Sequence, residues 1–263
     1  MTIDEARRTS FSSAADSYDA ARPGYPAALF DDLLRLGRVP SGGRALEIGA
    51  GTGKASVALA RRGLTLVALE PGAGMAAVAR RNLAGFEGVE VVERRLEDWE
   101  LEEEAFDLVV AAQSFHWVEP EAGLEAIARA LRPGRVAGLF WNTTRFQAWA
   151  PEQRRRVDAL YARYLPNPDP RPIHEAQAER LAAREAMFAA SPWFEGVEVR
   201  RYRWEATYDA STYLTLIDTY SDHRILPESV KAPFYRELRD AVEATGGAVT
   251  LPYEAALFVL RRG

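Results

Sequence analysis

Three glycines alternate at Gly49, Gly51 and Gly53, and Glu70 follows seventeen residues beyond the last of them. Glycine lets a main chain turn through positive φ and lets a ligand approach its amides, because no Cβ stands in the way. A carboxylate at the end of the next strand can accept hydrogen bonds from both hydroxyls of a ribose. Together these residues describe a nucleoside site. Taken singly, the glycines are a tight strand-to-helix turn and Glu70 a solvated strand end. Two phosphate-binding patterns fail on spacing. A dinucleotide fingerprint needs a third glycine at 54 or 56, where the chain has Lys54 and Ser56. This disfavours a dehydrogenase. A P-loop needs glycine at 48 and a hydroxyl residue after Lys54, where Ile48 and Ala55 stand. What remains is E-x-G-x-G-x-G over Glu47 to Gly53.

Other residues could do chemistry in the same region. His116 is the candidate general base; the reading set against it, and preferred, is that Phe115-His116-Trp117 form an aromatic cluster packing under a lid. Gln113 is placed to orient a substrate. His223 with Arg224 could clamp an anion, since a guanidinium suits bidentate carboxylate binding, or could be a solvated loop. Trp141 ends a strand beside the expected crevice. Arg154-Arg155-Arg156 reads as a solvated helix face. There is no cysteine, which removes disulfides, thiolate ligands and a thiol nucleophile together. Three scattered histidines offer no metal-ligand spacing, and no metal is expected.

The elements that must position these groups alternate. Strands are expected over 45–48, 64–69, 89–92, 106–112 and 136–141, with helices over 27–36, 54–62, 75–83 and 120–131. Strands apolar on both faces, separated by helices, belong in a parallel sheet covered on each side. The carboxyl ends of such strands form the ligand crevice. Beyond Asn142 the alternation lapses. Helices are expected over 152–164, 174–190, 212–220 and 227–244, and strands over 197–206 and 253–260. A proline-rich stretch, 166–172, reads as a stiff extended loop. The last two strands are expected as an antiparallel edge of the same sheet. The expected organisation is an N-terminal lid and helix over 1–43, a core over 44–142, a helical cap over 143–195, and a completing segment over 196–263.

Composition sets outer bounds. With 263 residues, 48% hydrophobic, the chain can bury a core. The net charge of -5 weighs against nucleic acid as the main partner. No stretch approaches eighteen apolar residues and no signal peptide is visible, so a cytoplasmic protein is expected, with no membrane partner.

At this point the chain resembles the class I S-adenosylmethionine (SAM) methyltransferases. The resemblance rests on the glycine motif, Glu70, Glu97-Asp98-Trp99, Gln113-Ser114-Phe115-His116-Trp117 after the fourth strand, and Leu131-Arg132-Pro133-Gly134 before the fifth. Tyr18, Arg22-Pro23 and Tyr25-Pro26 are similar to the bacterial small-molecule branch that includes trans-aconitate methyltransferase-like proteins. The resemblance implies a doubly wound, Rossmann-like α/β fold, with a mostly parallel seven-stranded sheet, an antiparallel edge strand and a helical cap insertion. It implies SAM as cofactor, held by Tyr18, Glu47, Gly49, Ala50, Gly51, Gly53, Glu70, Pro71, Met75, Leu96, Glu97, Asp98, Ala112 and Gln113. Many relatives carry Asp-Ala where this chain has Arg95-Leu96, a departure at the adenine contact. Tyr25, Trp117, Trp141, His223 and Arg224 are the candidate substrate contacts. The function expected is methyl transfer to a small molecule, with a carboxylate or hydroxyl oxygen preferred, by a monomer or homodimer. Methylation of RNA or protein, and a SAM-binding protein without turnover, are the alternatives.

Overall fold

The computed structural model describes residues 15–145, 148–165 and 173–263. The proline-rich stretch expected as an extended loop lies outside them. In chain order the elements are α1 (Ala15–Ala21), α2 (Ala27–Gly37), β1 (Arg44–Ile48), α3 (Lys54–Ala60), β2 (Thr65–Leu69), α4 (Ala73–Leu83), β3 (Val89–Val92) and β4 (Phe106–Ala112). A 3-10 turn over Phe115–Trp117 follows. Next come α5 (Pro120–Ala130), β5 (Leu131–Thr144), α6 (Pro151–Tyr164), α7 (Ile173–Ala189), β6 (Phe194–Asp209), α8 (Ala210–Asp218), α9 (Ser221–Arg224), α10 (Glu228–Glu243) and β7 (Ala248–Arg262).

The seven strands form one sheet in the order β3-β2-β1-β4-β5-β7-β6, mostly parallel with antiparallel edge strands. This is the doubly wound arrangement that the alternation predicts. From β1 the chain moves outward through β2 and β3, then returns to place β4 on the other side of β1. The reversal puts the switch point between the carboxyl ends of β1 and β4. Parallel register fixes those ends: Ala45 pairs with both Leu66 and Leu108, and Ala112 pairs with Phe140.

Several elements differ from expectation. Helix α1 forms where only a turn and aromatic residues are read, because its seven residues are too few for a periodic signal. Strand β5 begins at Leu131, so Arg132-Pro133-Gly134 does not end a helix but lies in an irregularity of the strand. There Leu131 pairs with Phe106 and Val136 with Leu108. The buried Asp107 holds this irregularity, accepting from Arg44 N at 3.1 Å and Arg132 Nη1 at 2.7 Å, with Arg135 Nε 3.3 Å away. Strands β6 and β7 run longer than their alternating or apolar stretches, over 16 and 15 residues, since pairing continues past the apolar pattern.

By compactness the chain divides into two units, each discontinuous in sequence. One comprises Gly24–Asn142, Arg180–Tyr202 and Ala255–Gly263; the other comprises Met1–Pro23, Thr143–Glu179 and Arg203–Glu254. The first unit packs two apolar clusters. One is built on Leu46, Val109, Leu139, Trp141, Phe188 and Phe258, the other on Leu33, Leu59, Leu108, Phe140 and Leu257. The second unit has its own cluster, including Trp149, Tyr213, Leu216, Phe234 and Leu238. Among the described residues no helix is long and apolar enough to cross a membrane, and no group of acids and histidines could hold a metal ion.

Candidate functional site

The bend after β1 lies at the switch point, and its three glycines face different surroundings. All have positive φ, at 68°, 59° and 84°. A Cβ on Gly49 would stand 2.5 Å from the Cβ of Ser114, and one on Gly53 would meet Leu83 and Ala79 of α4 at 3.3 and 3.5 Å. These two positions are glycine because protein occupies the space. Gly51 has nothing within 4 Å of its Cβ position. It is the point where main chain is open to a ligand.

The Glu70 carboxylate faces this opening. Its Oε2 accepts from Gly51 N at 2.8 Å and its Oε1 from Gly72 N at 2.7 Å. The residue is 9% exposed. Burial raises its pKa above the ordinary range, and the two amides oppose that by favouring the charged form. The carboxylate therefore spans from the end of β2 to the bend after β1, with its remaining lone pairs available to further donors.

Glu47 lies beneath, on β1. It is 1% exposed, and its Oε2 accepts from Ser56 Oγ at 2.5 Å. Its Oε1 is buried without a hydrogen-bond partner. Burial pushes its pKa up to about 8, against one hydrogen bond from Ser56. Around the same bend, the Thr52 hydroxyl is also buried and unpaired.

The wall opposite the bend comes from the chain after β4. Gln113 adopts a left-handed conformation, φ 59°, which costs a residue with a Cβ energy and recurs at functional sites. Its amide donates to Phe140 O at 2.9 Å. Ser114 donates its hydroxyl to Ile48 O, tying the two strand ends together across the switch point. Sequence reasoning missed Ser114. Its neighbour across the crevice, Gly49, was the available signal, because a glycine required by sterics implies a close partner.

The remaining expected residues take varied positions. Ala50 is buried and donates its amide to Leu69 O at 2.9 Å; Ala112 is half-buried at the end of β4. Met75 and Leu96 are buried, whereas Pro71, Glu97 and Asp98 are exposed. The half-buried Tyr25 ring packs edge-on against Phe30 and Phe140, with centroids 6.2 and 4.9 Å away. His116 is exposed, and its ring lies 4.8 Å from that of the half-buried Trp117. Trp141 is only 3% exposed and packs on Phe188 and Phe258. Its Nε1 lies 3.5 Å from His116 Nδ1.

Tyr18, His223 and Arg224 belong to the other unit. The Arg22 guanidinium lies over the rings of Tyr18 and Tyr220, at 5.1 and 4.3 Å, and donates to Thr219. His223 is not in an open loop. It stands on the single turn α9, 2% exposed, with Nε2 3.1 Å from Tyr161 OH and Phe234 against its ring. Burial lowers its pKa, so it favours the neutral imidazole.

Residues 46–137 match the family profile described as a methyltransferase domain. The matched stretch includes the bend, Glu70 and the wall after β4. An uncharacterized methyltransferase from Mycobacterium tuberculosis is 39% identical over 134 residues, covering 51% of this chain and 52% of the relative. The match thus spans about half the length of that curated relative. Among solved structures, a provisionally named type II methyltransferase from Anaeromyxobacter dehalogenans superposes with a TM-score of 0.67 at 26% identity. It covers 91% of this chain and 97% of its own. A Haemonchus contortus phosphoethanolamine N-methyltransferase, solved with phosphomonomethylethanolamine and S-adenosylhomocysteine, shares the fold. Its TM-score is 0.54 at 17% identity, over 100% of this chain and 60% of that one.

Proposed function

We propose that this chain transfers a methyl group from SAM to a small molecule, at a carboxylate or hydroxyl oxygen. The observation that carries the reading is the Glu70 carboxylate held against the open main chain of Gly51. A ribose presents two adjacent hydroxyl donors, and a buried carboxylate with free lone pairs accepts both. The methyltransferase-domain match over 46–137 supports methyl transfer as the chemistry that such a nucleoside pocket serves.

The residues present fit SAM. Glu70 would take the ribose, and the main chain at Gly51 would lie along the methionine part. The unpaired Glu47 Oε1 and Thr52 hydroxyl would lie beneath it as polar groups lacking protein partners. The main chain of the buried Leu96 would lie on the adenine side, with Glu97 and Asp98 exposed beside it. When bound, the sulfonium supplies an already activated methyl group. The protein must then orient the acceptor in line with the methyl and exclude water, and such positioning contributes several kcal/mol of barrier lowering, roughly 7 or more in the best cases. A carboxylate acceptor needs no base, whereas a hydroxyl needs its proton removed. The acidic net charge supports a small acceptor over RNA, and we take the protein to work in the cytoplasm as a monomer or homodimer.

Calorimetry on the full chain tests this. SAM is expected to bind in the micromolar range, and Glu70→Ala to weaken it at least tenfold. A nicotinamide nucleotide binding more tightly than SAM would overturn the reading. A metabolite screen that reads S-adenosylhomocysteine then separates turnover from binding alone, and small molecules from RNA or protein acceptors.

A further inference from the structure

The indole of Trp141 joins two groups not yet given a role. Arg184, on α7, lays its guanidinium carbon 4.1 Å from the ring centre. His116 Nδ1 meets the indole nitrogen at the ring edge, 3.5 Å away. An indole N–H only donates, so Nδ1 must accept, and the neutral imidazole carries its proton on Nε2. In that tautomer Nε2 is a hydrogen-bond donor and not a base.

Arg184 is half-buried and makes no ion pair with a described carboxylate. Burial, and then the neighbouring Arg180, push its pKa down. Arg180 and Arg184 are four residues apart on one helix, so they share a face and repel. Two guanidiniums and an imidazole thus gather where, among the described residues, no carboxylate pairs with Arg184. The place is relevant to the chemistry. Phe140 pairs with Ala112 at the carboxyl end of β4, and Trp141 stands one residue further along β5, at the same end of the sheet as the glycine bend.

We propose that Arg184, with His116 on the same indole and Arg180 one helical turn away, binds an oxyanion of the substrate, a carboxylate or a phosphate. The methyl acceptor is then an anionic small molecule. This rests on the methyltransferase reading above and names its substrate class. The anchored oxyanion is a handle, not the methylated atom. A guanidinium that takes both oxygens of a carboxylate binds one lone pair on each and draws charge off both, so the held group is the weaker methyl acceptor. The acceptor atom therefore belongs to a second group on the same molecule.

The test titrates the full chain with citrate and, separately, with inorganic phosphate, following indole fluorescence with and without S-adenosylhomocysteine. Saturable binding of at least one anion is expected. Citrate alone would mark a carboxylate handle, phosphate alone a phosphate ester, and both a general oxyanion site. Arg184→Met keeps an apolar stem on the indole and removes the charge; it should weaken binding at least tenfold. Arg184→Lys keeps the charge but loses the planar fork, and should bind more weakly than wild type and more tightly than Arg184→Met. Arg180→Met, at an exposed position, should weaken binding severalfold and gives a reading even if Arg184→Met fails to fold. Saturable binding of neither anion, or equal binding by wild type and both Met variants, overturns the proposal. Calorimetry with SAM on the wild type keeps the two readings apart: a chain that binds anions through Arg184 but not SAM fails as a methyltransferase and retains the anion site.

Discussion

Glu47 is held in a protonation state that neutral solution does not favour for a carboxyl group. Its ordinary pKa is 4.5 and burial raises it to about 8. Because the folded value lies above the unfolded one, its contribution to stability is full below about pH 4.5. It declines as pH rises and is lost once pH passes about 8, at roughly 1.4 kcal/mol per pH unit in between. Denaturant unfolding of the wild type from pH 5 to 8.5 should therefore show falling stability, and Glu47→Gln should flatten that slope. Equal slopes in both proteins would show that Glu47 is ionised in the folded chain. Glu70 shifts in the same direction, so the difference between the two proteins isolates Glu47. The chemistry of single residues was partly legible in the sequence. Glu70 could be located by its distance from the glycines and its place at a strand end. Arg184 could not, because nothing local distinguishes it from Arg180 on the same helix; its place over the indole exists only once α7 covers Trp141.

At the scale of elements, the bend between β1 and α3 separates packing from binding among residues of one type. Gly49→Ala would bring a Cβ to within 2.5 Å of Ser114, at a φ of 68°. Overpacking and the left-handed conformation together should cost about 2–4 kcal/mol. Gly51→Ala meets open space, so only the conformational penalty, about 1 kcal/mol, should appear. The order should reverse for the ligand. Gly51→Ala places a methyl group where main chain is offered to SAM, and should weaken SAM at least tenfold in calorimetry while the melting temperature moves little. If Gly51→Ala bound SAM like the wild type, the opening at Gly51 would not be where the cofactor lies. The sequence shows three equivalent glycines, since all must adopt positive φ. Their division depends on Ser114 and on α4, which come from distant parts of the chain. The strands of the core were readable for the opposite reason: residues apolar on both faces carry the signal locally. Where pairing outlasts the apolar pattern, as at the ends of β6 and β7, the boundaries were not readable.

The whole molecule does not divide where the family match does. The matched stretch, 46–137, contains the bend, Glu70 and Ser114, and so most of the candidate site. Yet its sheet is covered by residues outside that stretch. Leu29, Phe30 and Leu33 of α2 are buried in the cluster with Leu108 and Val110, and Ala255, Leu257 and Val259 of β7 belong to the same cluster. On the other face Phe188 and Phe258 pack with Leu139 and Trp141. Further ties run the same way. Arg261 donates to Gly134 O at 2.7 Å and to Leu36 O at 2.8 Å, and Asn142 Nδ2 donates to Gly24 O at 2.8 Å. Exposing these apolar faces removes stabilisation at roughly 25 cal/mol per Å2 of buried apolar area, against a net stability of only about 5–15 kcal/mol for a domain. A fragment of residues 46–137 should therefore show no cooperative thermal transition by circular dichroism and should bind no SAM, although it retains Glu70 and all three glycines. The full chain should melt cooperatively. A cooperative melt and SAM binding by the fragment would mean that the bend and Glu70 are held in place by the strands of the matched stretch alone, without α2 and β7. On the packing described, those two elements are as necessary to the geometry of the site as the residues that line it.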